Sequence, residues 1–369
     1  MPRWIRPFVV LLVALGAGAL LMAPMVSMEP RDLPVAVVDL DEGIETAAGQ
    51  VNAGRQVAAA VQENDGDGMI EWVSLSSQTE LDAALADGDV YAALVIPADF
   101  TASQAAAQQG AGEVSALRLV INEGKNPMVT SQLSGSLAAL APGAEVPVQT
   151  EYYDEVPESL GMLASFLPMV FMILTYISSY ATGIVIRATF PLASTGRGRT
   201  VLVQLGLAAA AAAVVGVAAS WVLSTMAPAA GLPVGDSAVF LAISSFALMT
   251  LVIGSVNWLG TAGMVVPVAM LVLGMGTADL PYEFLPAFWQ DFVHPWNPLR
   301  FLADGGRALL FQGAGWWNAA TPGMVITAVV GAVLVGTSVL TRRGRVRETS
   351  PDLAGVAPSE HALSGSGGR

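Results

Sequence analysis

Two histidines, His294 and His361, and no cysteine stand in a chain of 369 residues, so the side chains that most often carry catalysis are scarce. Without Cys there is no disulfide, no thiolate zinc site and no thiol nucleophile. His294 sits between Val293 and Pro295, and His361 lies in a Ser- and Gly-rich tail. Neither has companions for a triad or a metal cluster, and His294 reads as a polar residue at a membrane interface. Asp65-Gly66-Asp67-Gly68 echoes the start of a calcium loop without its later ligands or bidentate Glu; a solvated turn accounts for it. Gly196-Arg197-Gly198-Arg199-Thr200 lacks the spacing and the Lys of a phosphate-binding loop. No catalytic residue, metal ligand or cofactor is assigned, and the chain is not expected to be an enzyme. Any energy it uses must enter from another subunit.

The elements that hold these residues are set by the bilayer. The composition is 54% hydrophobic and 12% charged, with a mean hydropathy of +0.59, well away from the roughly one-quarter charged content of soluble domains. Between Asp236 and Asp279 no charged residue occurs. In lipid a backbone must satisfy its own hydrogen bonds, so such stretches predict helices of about 20 residues. The net charge of −14 is uneven: residues 29–158 hold 22 acidic and 4 basic residues, the rest 8 acidic and 12 basic. An acidic soluble domain is inserted into a basic membrane protein, and its charge argues against nucleic acid or anionic lipid as partner.

Residues 1–28 are expected to form an N-terminal transmembrane anchor, with Phe8 to Val26 spanning and Arg3 and Arg6 cytoplasmic. The run exceeds the usual core of a cleaved signal peptide. Residues 29–160 are expected to form an extracellular α/β domain. Apolar runs at Val35 to Val38, Ile70 to Val73, Tyr91 to Ile96 and Leu117 to Ile121 read as strands, and Glu45 to Gln62, Gln78 to Ala86, Ala98 to Gln108 and Met128 to Leu140 as helices. Pro97 ends the third strand and Asp99 is placed to cap the next helix.

Residues 161–341 are expected to hold five spans. The second runs from Glu158 to Arg187, with a kink at Pro168, and the third from Thr200 to Met226. Arg187, Arg197 and Arg199 mark a cytoplasmic loop. The long uncharged run predicts two spans joined at about Ser255 to Gly263, because one alone would place Arg342, Arg343, Arg345 and Arg347 outside. The sixth span covers Pro322 to Thr341. External interfacial helices are expected at about 280–312, where Phe284, Leu285, Phe288, Trp289 and Phe292 fit one face of a helix half-sunk in the outer interface. Trp296, Trp316 and Trp317 fit an aromatic belt. Residues 342–369 form a basic stretch and a tail too polar to fold. Small residues at Gly206, Ala208 to Ala213, Gly260, Gly263, Gly274 and Gly276 suit close helix packing. No charged residue falls clearly inside a span, which argues against ion-coupled transport.

Four segments, PVAVVDLDEG (34–43), IEWVSL (70–75), YAALVIPADF (91–100) and LRLVINEGKN (117–126), resemble in order and spacing the N-terminal region of the YhgE/Pip (phage infection protein) family. WLGTAGMVVPVAMLVLGMGT (258–277) and LPYEFLPAFWQDFVHPWNPLRFLADGGRALLFQG (280–313) resemble its C-terminal half, the latter with Pro281, Pro286, Phe288, Pro295, Pro298 and Arg307 in place. The likeness covers about residues 5–342. Many members carry a long coiled insert before the second span, and here only about Leu133 to Glu158 stands there. The resemblance implies membership of the ABC type-2 exporter permease class, with dimers of this or a related permease and separate cytoplasmic ATPases pressing on cytoplasmic loops. In this chain the corresponding loop is Arg187 to Thr200, and Trp4 to Phe8 would be an interfacial elbow.

The sequence thus leads to a multi-pass α-helical membrane protein with six transmembrane helices and an extracellular α/β domain between the first and second. It is expected in the bacterial plasma membrane, both termini cytoplasmic, as an exporter permease subunit moving a hydrophobic or envelope-directed substrate outward with energy from a separate ATPase. The alternative is a non-transporting receptor or scaffold that binds partners through its extracellular domain.

Overall fold

The structure is a computed structural model that describes residues 15–16, 18–20, 30–47, 49–63, 68–140, 146–192, 196–278 and 280–341. Apolar runs in the first half build a mixed sheet from β1 (Leu33–Asp39), β4 (Ile70–Leu75), β5 (Ala92–Ile96), β6 (Leu117–Asn122) and the more polar β7 (Val148–Tyr153), in the order β4-β1-β5-β6-β7. β1 lies between β4 and β5, parallel to both, with Val35 opposite Trp72 and Ala92. β6 runs antiparallel to β5 and parallel to β7. A side hairpin joins β2 (Ile44–Thr46) and β3 (Gly49–Val51). Helices α1 (Ala53–Gln62), α2 (Gln78–Ala86), α3 (Phe100–Gln108) and α4 (Pro127–Leu140) cover the sheet. Successive side chains of β1 point to opposite faces: Val37 joins Val61, Ile96 and Phe100 under α1 and α3, and Ala36 and Val38 join Leu81 and Leu85 of α2.

The four expected strands are present, but the expected helix over Glu45 to Gln62 is corrected. Its first part is the β2–β3 hairpin, turned by Gly49 at φ +116°, and the helix starts after Asn52, whose side chain caps Arg55 N at 2.7 Å. Asp99 occupies the N-cap position of α3 without capping it; its carboxylate accepts from the Ser115 hydroxyl at 2.8 Å. Asp41 performs that task from a distance. Its carboxylate accepts Thr101 N and Gly54 N, each at 3.0 Å, together with the Thr101 hydroxyl, and so caps α1 and α3 at once. A Cβ on Gly54 would lie 2.6 Å from both Asp39 Oδ1 and Asp41 Cβ, so this approach needs glycine.

The second half is a bundle of α5 (Leu163–Thr189), α6 (Arg197–Met226), α7 (Val234–Leu259), α8 (Val265–Ala278), α9 (Ala287–Phe292), α10 (Pro298–Phe311) and α11 (Thr321–Thr337). Among the described residues four stretches are long and apolar enough to cross a membrane: Leu163–Thr189, Arg197–Met226, Val234–Ala278 and Thr321–Leu340. The third contains both α7 and α8. At Gly260, φ +68°, the helix breaks into a 3₁₀ turn, Gly260–Met264, and a Cβ on Gly263 would lie 2.2 Å from Ser255 O. In a straight helix eight residues span about 12 Å; the chain therefore turns sharply within the stretch Ser255 to Gly263. α5 continues through Pro168. α7 is the axis of the bundle, packed by α5, α6 and α11. Its neighbours approach through small residues: a Cβ on Gly216 of α6 would meet Ala238 O at 2.4 Å, and one on Gly331 of α11 would meet Thr250 Oγ1 at 2.3 Å.

The expected first span at 8–26 lies outside the described residues apart from short helical pieces at 15–16 and 18–20. The turn at 65–67 and the basic stretch and tail at 342–369 also lie outside them.

Candidate functional site

The site begins with the three arginines singled out in the sequence. Arg187 is in the last turn of α5, where a cation complements the helix dipole. Arg197 opens α6, an electrostatically poor place for a cation on its own helix. Its guanidinium instead reaches the end of the last span, donating to Val339 O at 3.3 Å and Thr341 O at 2.5 Å. Arg199 is exposed. All three lie at the end of the bundle opposite the sheet domain, since α5 leaves that domain and runs 27 residues before it ends, about 40 Å.

Just inside this end lies a polar clasp that reasoning from charged residues alone did not find. Asn257 Nδ2 of α7 donates to Gln204 Oε1 of α6 at 2.8 Å and to Ser338 Oγ after α11 at 3.2 Å. Gln204 Nε2 donates to Phe190 O, the C-cap of α5, at 2.8 Å. Gln204, Asn257 and Ser338 are fully buried, so the chain of amides ties the ends of four helices where water cannot compete. A Gln and an Asn inside otherwise uncharged runs were the available signal.

At the opposite end the expected interfacial helix is corrected. Pro281 and Pro286 divide the segment into a 3₁₀ turn, Tyr282–Phe284, and the short α9, because proline removes a donor and biases its predecessor away from helix. The five aromatic and aliphatic residues therefore do not share one helical face. Phe284 enters the core of the sheet domain beside Leu33 and Tyr91. Leu285 and Trp289 pack with Leu280 and Val293. Phe288 and Phe292, 57% and 65% exposed, stack with ring centroids 5.6 Å apart. α10, expected among the interfacial helices, is buried against α5, α8 and α11, with Gly305 and Gly306 beneath Phe240 and Phe171.

Phe284 is thus a wedge between domain and bundle. Beside it Glu283 Oε2 accepts from the Tyr91 hydroxyl at 3.1 Å and Glu283 O from Arg31 N at 3.4 Å. Gln312 Nε2, just past α10, donates to Gly124 O of the domain at 3.2 Å. Burial and then Glu283 push the Tyr91 hydroxyl well above its ordinary range, so it remains a donor.

Long apolar helices packed through small residues, joined at one end by amides and arginines and carrying a sheet domain at the other, define a helical membrane protein. Over residues 4–340 the chain matches the ABC-2 family transporter proteins, and it belongs to that family. It is accordingly a permease component of the ABC exporter class, which resides in the plasma membrane and in general works in dimers with a separate ATPase. Comparison with curated proteins and with solved structures gives no match.

Proposed function

We propose that this chain is the six-span permease subunit of a YhgE/Pip-like exporter, with its arginine-bearing end in the cytoplasm and its α/β domain outside. A cytoplasmic ATPase presses on the loop from Arg187 to Thr200, and the stroke passes to four helix ends together through the Gln204–Asn257–Ser338 clasp. The outer domain, wedged on the bundle by Phe284, shapes the exit for a hydrophobic or envelope-directed substrate. The observation that carries this reading is the clasp: buried amides couple α5, α6, α7 and α11 at the same end of the bundle as Arg187, Arg197 and Arg199.

The structure separates the two arginines as probes. Arg197 is engaged with the last span, so changing it disturbs folding, whereas exposed Arg199 reports contact with a partner. Arg199→Glu is expected to abolish co-purification of the cognate ATPase and the associated secretion or resistance phenotype while leaving the chain's unfolding midpoint unchanged. Intact association and phenotype in that variant would remove the loop from the coupling pathway.

A further inference from the structure

A cleft of about 590 Å³ opens where the α/β domain meets the bundle, a volume within the usual range for small-molecule sites. Two modules supply its cations: Lys125 from the turn after β6, and Arg300 and Arg307 from α10. The arginines are seven residues apart and so share a helical face. Both bind one carboxylate, Asp304, at 3.0 and 2.5 Å. The other inner carboxylate, Glu283, takes the Tyr91 hydroxyl, and Asp87 is exposed at the rim. Lys125, Arg300 and Arg307 thus face Glu283 and Asp304, with Asp87 the third carboxylate of the lining and the Asp89 charge acting on Lys125. His294 adds no charge near neutrality, because burial and Arg300 hold its pKa down to about 4. Tyr282 and Trp317, 46% and 60% exposed, line the same cleft, polar-tipped rings of the kind that sit at a membrane surface.

We propose that this cleft binds the phosphate head of an amphiphile, gripped by Lys125 and Arg300, with the apolar tail leaving past Tyr282 and Trp317 toward the bilayer. A guanidinium fork and an ammonium match phosphate oxygens. Lys125 is held over the Tyr91 ring at 3.9 Å and donates to Asp89 O at 3.1 Å, leaving donor capacity on a three-donor group. Burial first of all, opposed by Glu283 and Asp89, draws its pKa to about 8; an arriving anion relieves that strain on the charged form. The overall acidity of the domain argued against anionic lipid, but two of its four basic residues, Arg31 and Lys125, lie at this junction. Apart from Asp87 and Asp89, which border the cleft, the acids of the domain that lie beyond a Debye length of about 8 Å are screened. The inference rests on the cleft lying at the bilayer surface, and needs neither export nor an ATPase.

The test is binding of short-chain phosphatidic acid to the purified full chain in phosphatidylcholine nanodiscs, with inorganic phosphate and short-chain diacylglycerol as parallel arms. Phosphatidic acid is expected to saturate and to bind about ten-fold or more tighter than either control. Lys125→Met and Arg300→Gln should each weaken it by about ten-fold, and Asp304→Asn should tighten it. The gain in Asp304→Asn cannot arise from misfolding. Inorganic phosphate binding equally well would overturn the amphiphile, diacylglycerol binding equally well would overturn the head group, and unchanged affinity in both cation variants would overturn the site. Because no ATPase is present, failure of the coupling-loop experiment leaves this result unaffected.

Discussion

Asp41 and Lys125 show opposite uses of a charge. Burial opposes ionisation of Asp41, but hydrogen bonds from Thr101, Gly54 and Gly43 outweigh it and hold the carboxyl below its ordinary range. Each helix cap is worth about 1 kcal/mol, so Asp41→Ala is expected to destabilise the domain by about 2 kcal/mol at pH 7, read from the unfolding midpoint of the solubilised chain. A pKa lowered in the folded state gives stability that is present above about pH 4 and lost as pH falls through the folded value. The gap between wild type and variant should therefore close in acid. Lys125 has the reverse sign. Its pKa, drawn from the ordinary 10.5 to about 8, costs roughly 3 kcal/mol at neutral pH, against about 1 to 2 kcal/mol returned by the Tyr91 ring. Lys125→Met is thus expected to raise the midpoint at pH 7 by about 1 kcal/mol in stability, an advantage that fades as pH rises from about 8 toward 10.5. A lower midpoint at pH 7 would show the ammonium to be structural.

At the scale of elements, the Phe284 wedge decides whether the domain and bundle act as one body. Phe284 is 7% exposed and packs with Leu33, Tyr91 and Leu119. Phe284→Ala is expected to cost about 3 to 5 kcal/mol and to make the Leu280 to Pro286 segment protease-sensitive while the spans stay intact. Resistance equal to wild type would show that Glu283 and Gln312 suffice for docking. Elements were legible in the sequence where burial imposed a period: β1, β4, β5 and β6 lie inside the sheet or pack on helices and read as apolar runs. β7, an edge strand of sequence VQTEYY with half-exposed residues, showed no such pattern, and the β2–β3 hairpin was masked by its helix-like neighbour. Asp41 meets Thr101 across 60 positions, and Glu283, beside the Phe284 wedge, meets Tyr91 across 192. Local spacing cannot show such partners. Gln204 and Asn257 were visible as amides in apolar runs, but a search confined to full charges passes over them.

At the scale of the whole molecule, one end of the bundle gathers arginines and amides, and the other carries an acidic domain across a cleft rich in ionisable groups. The polarity of the protein in the membrane is the claim on which coupling, exit and lipid recognition all depend, and the absence of any Cys permits a direct reading of it. Single cysteines at exposed Gln109 in the domain and exposed Arg199 at the far end can be labelled in intact cells with a membrane-impermeant maleimide. Gln109→Cys should be labelled in intact cells and Arg199→Cys only after the membrane is permeabilised. Labelling of Arg199→Cys in intact cells, with Gln109→Cys protected, would contradict the account.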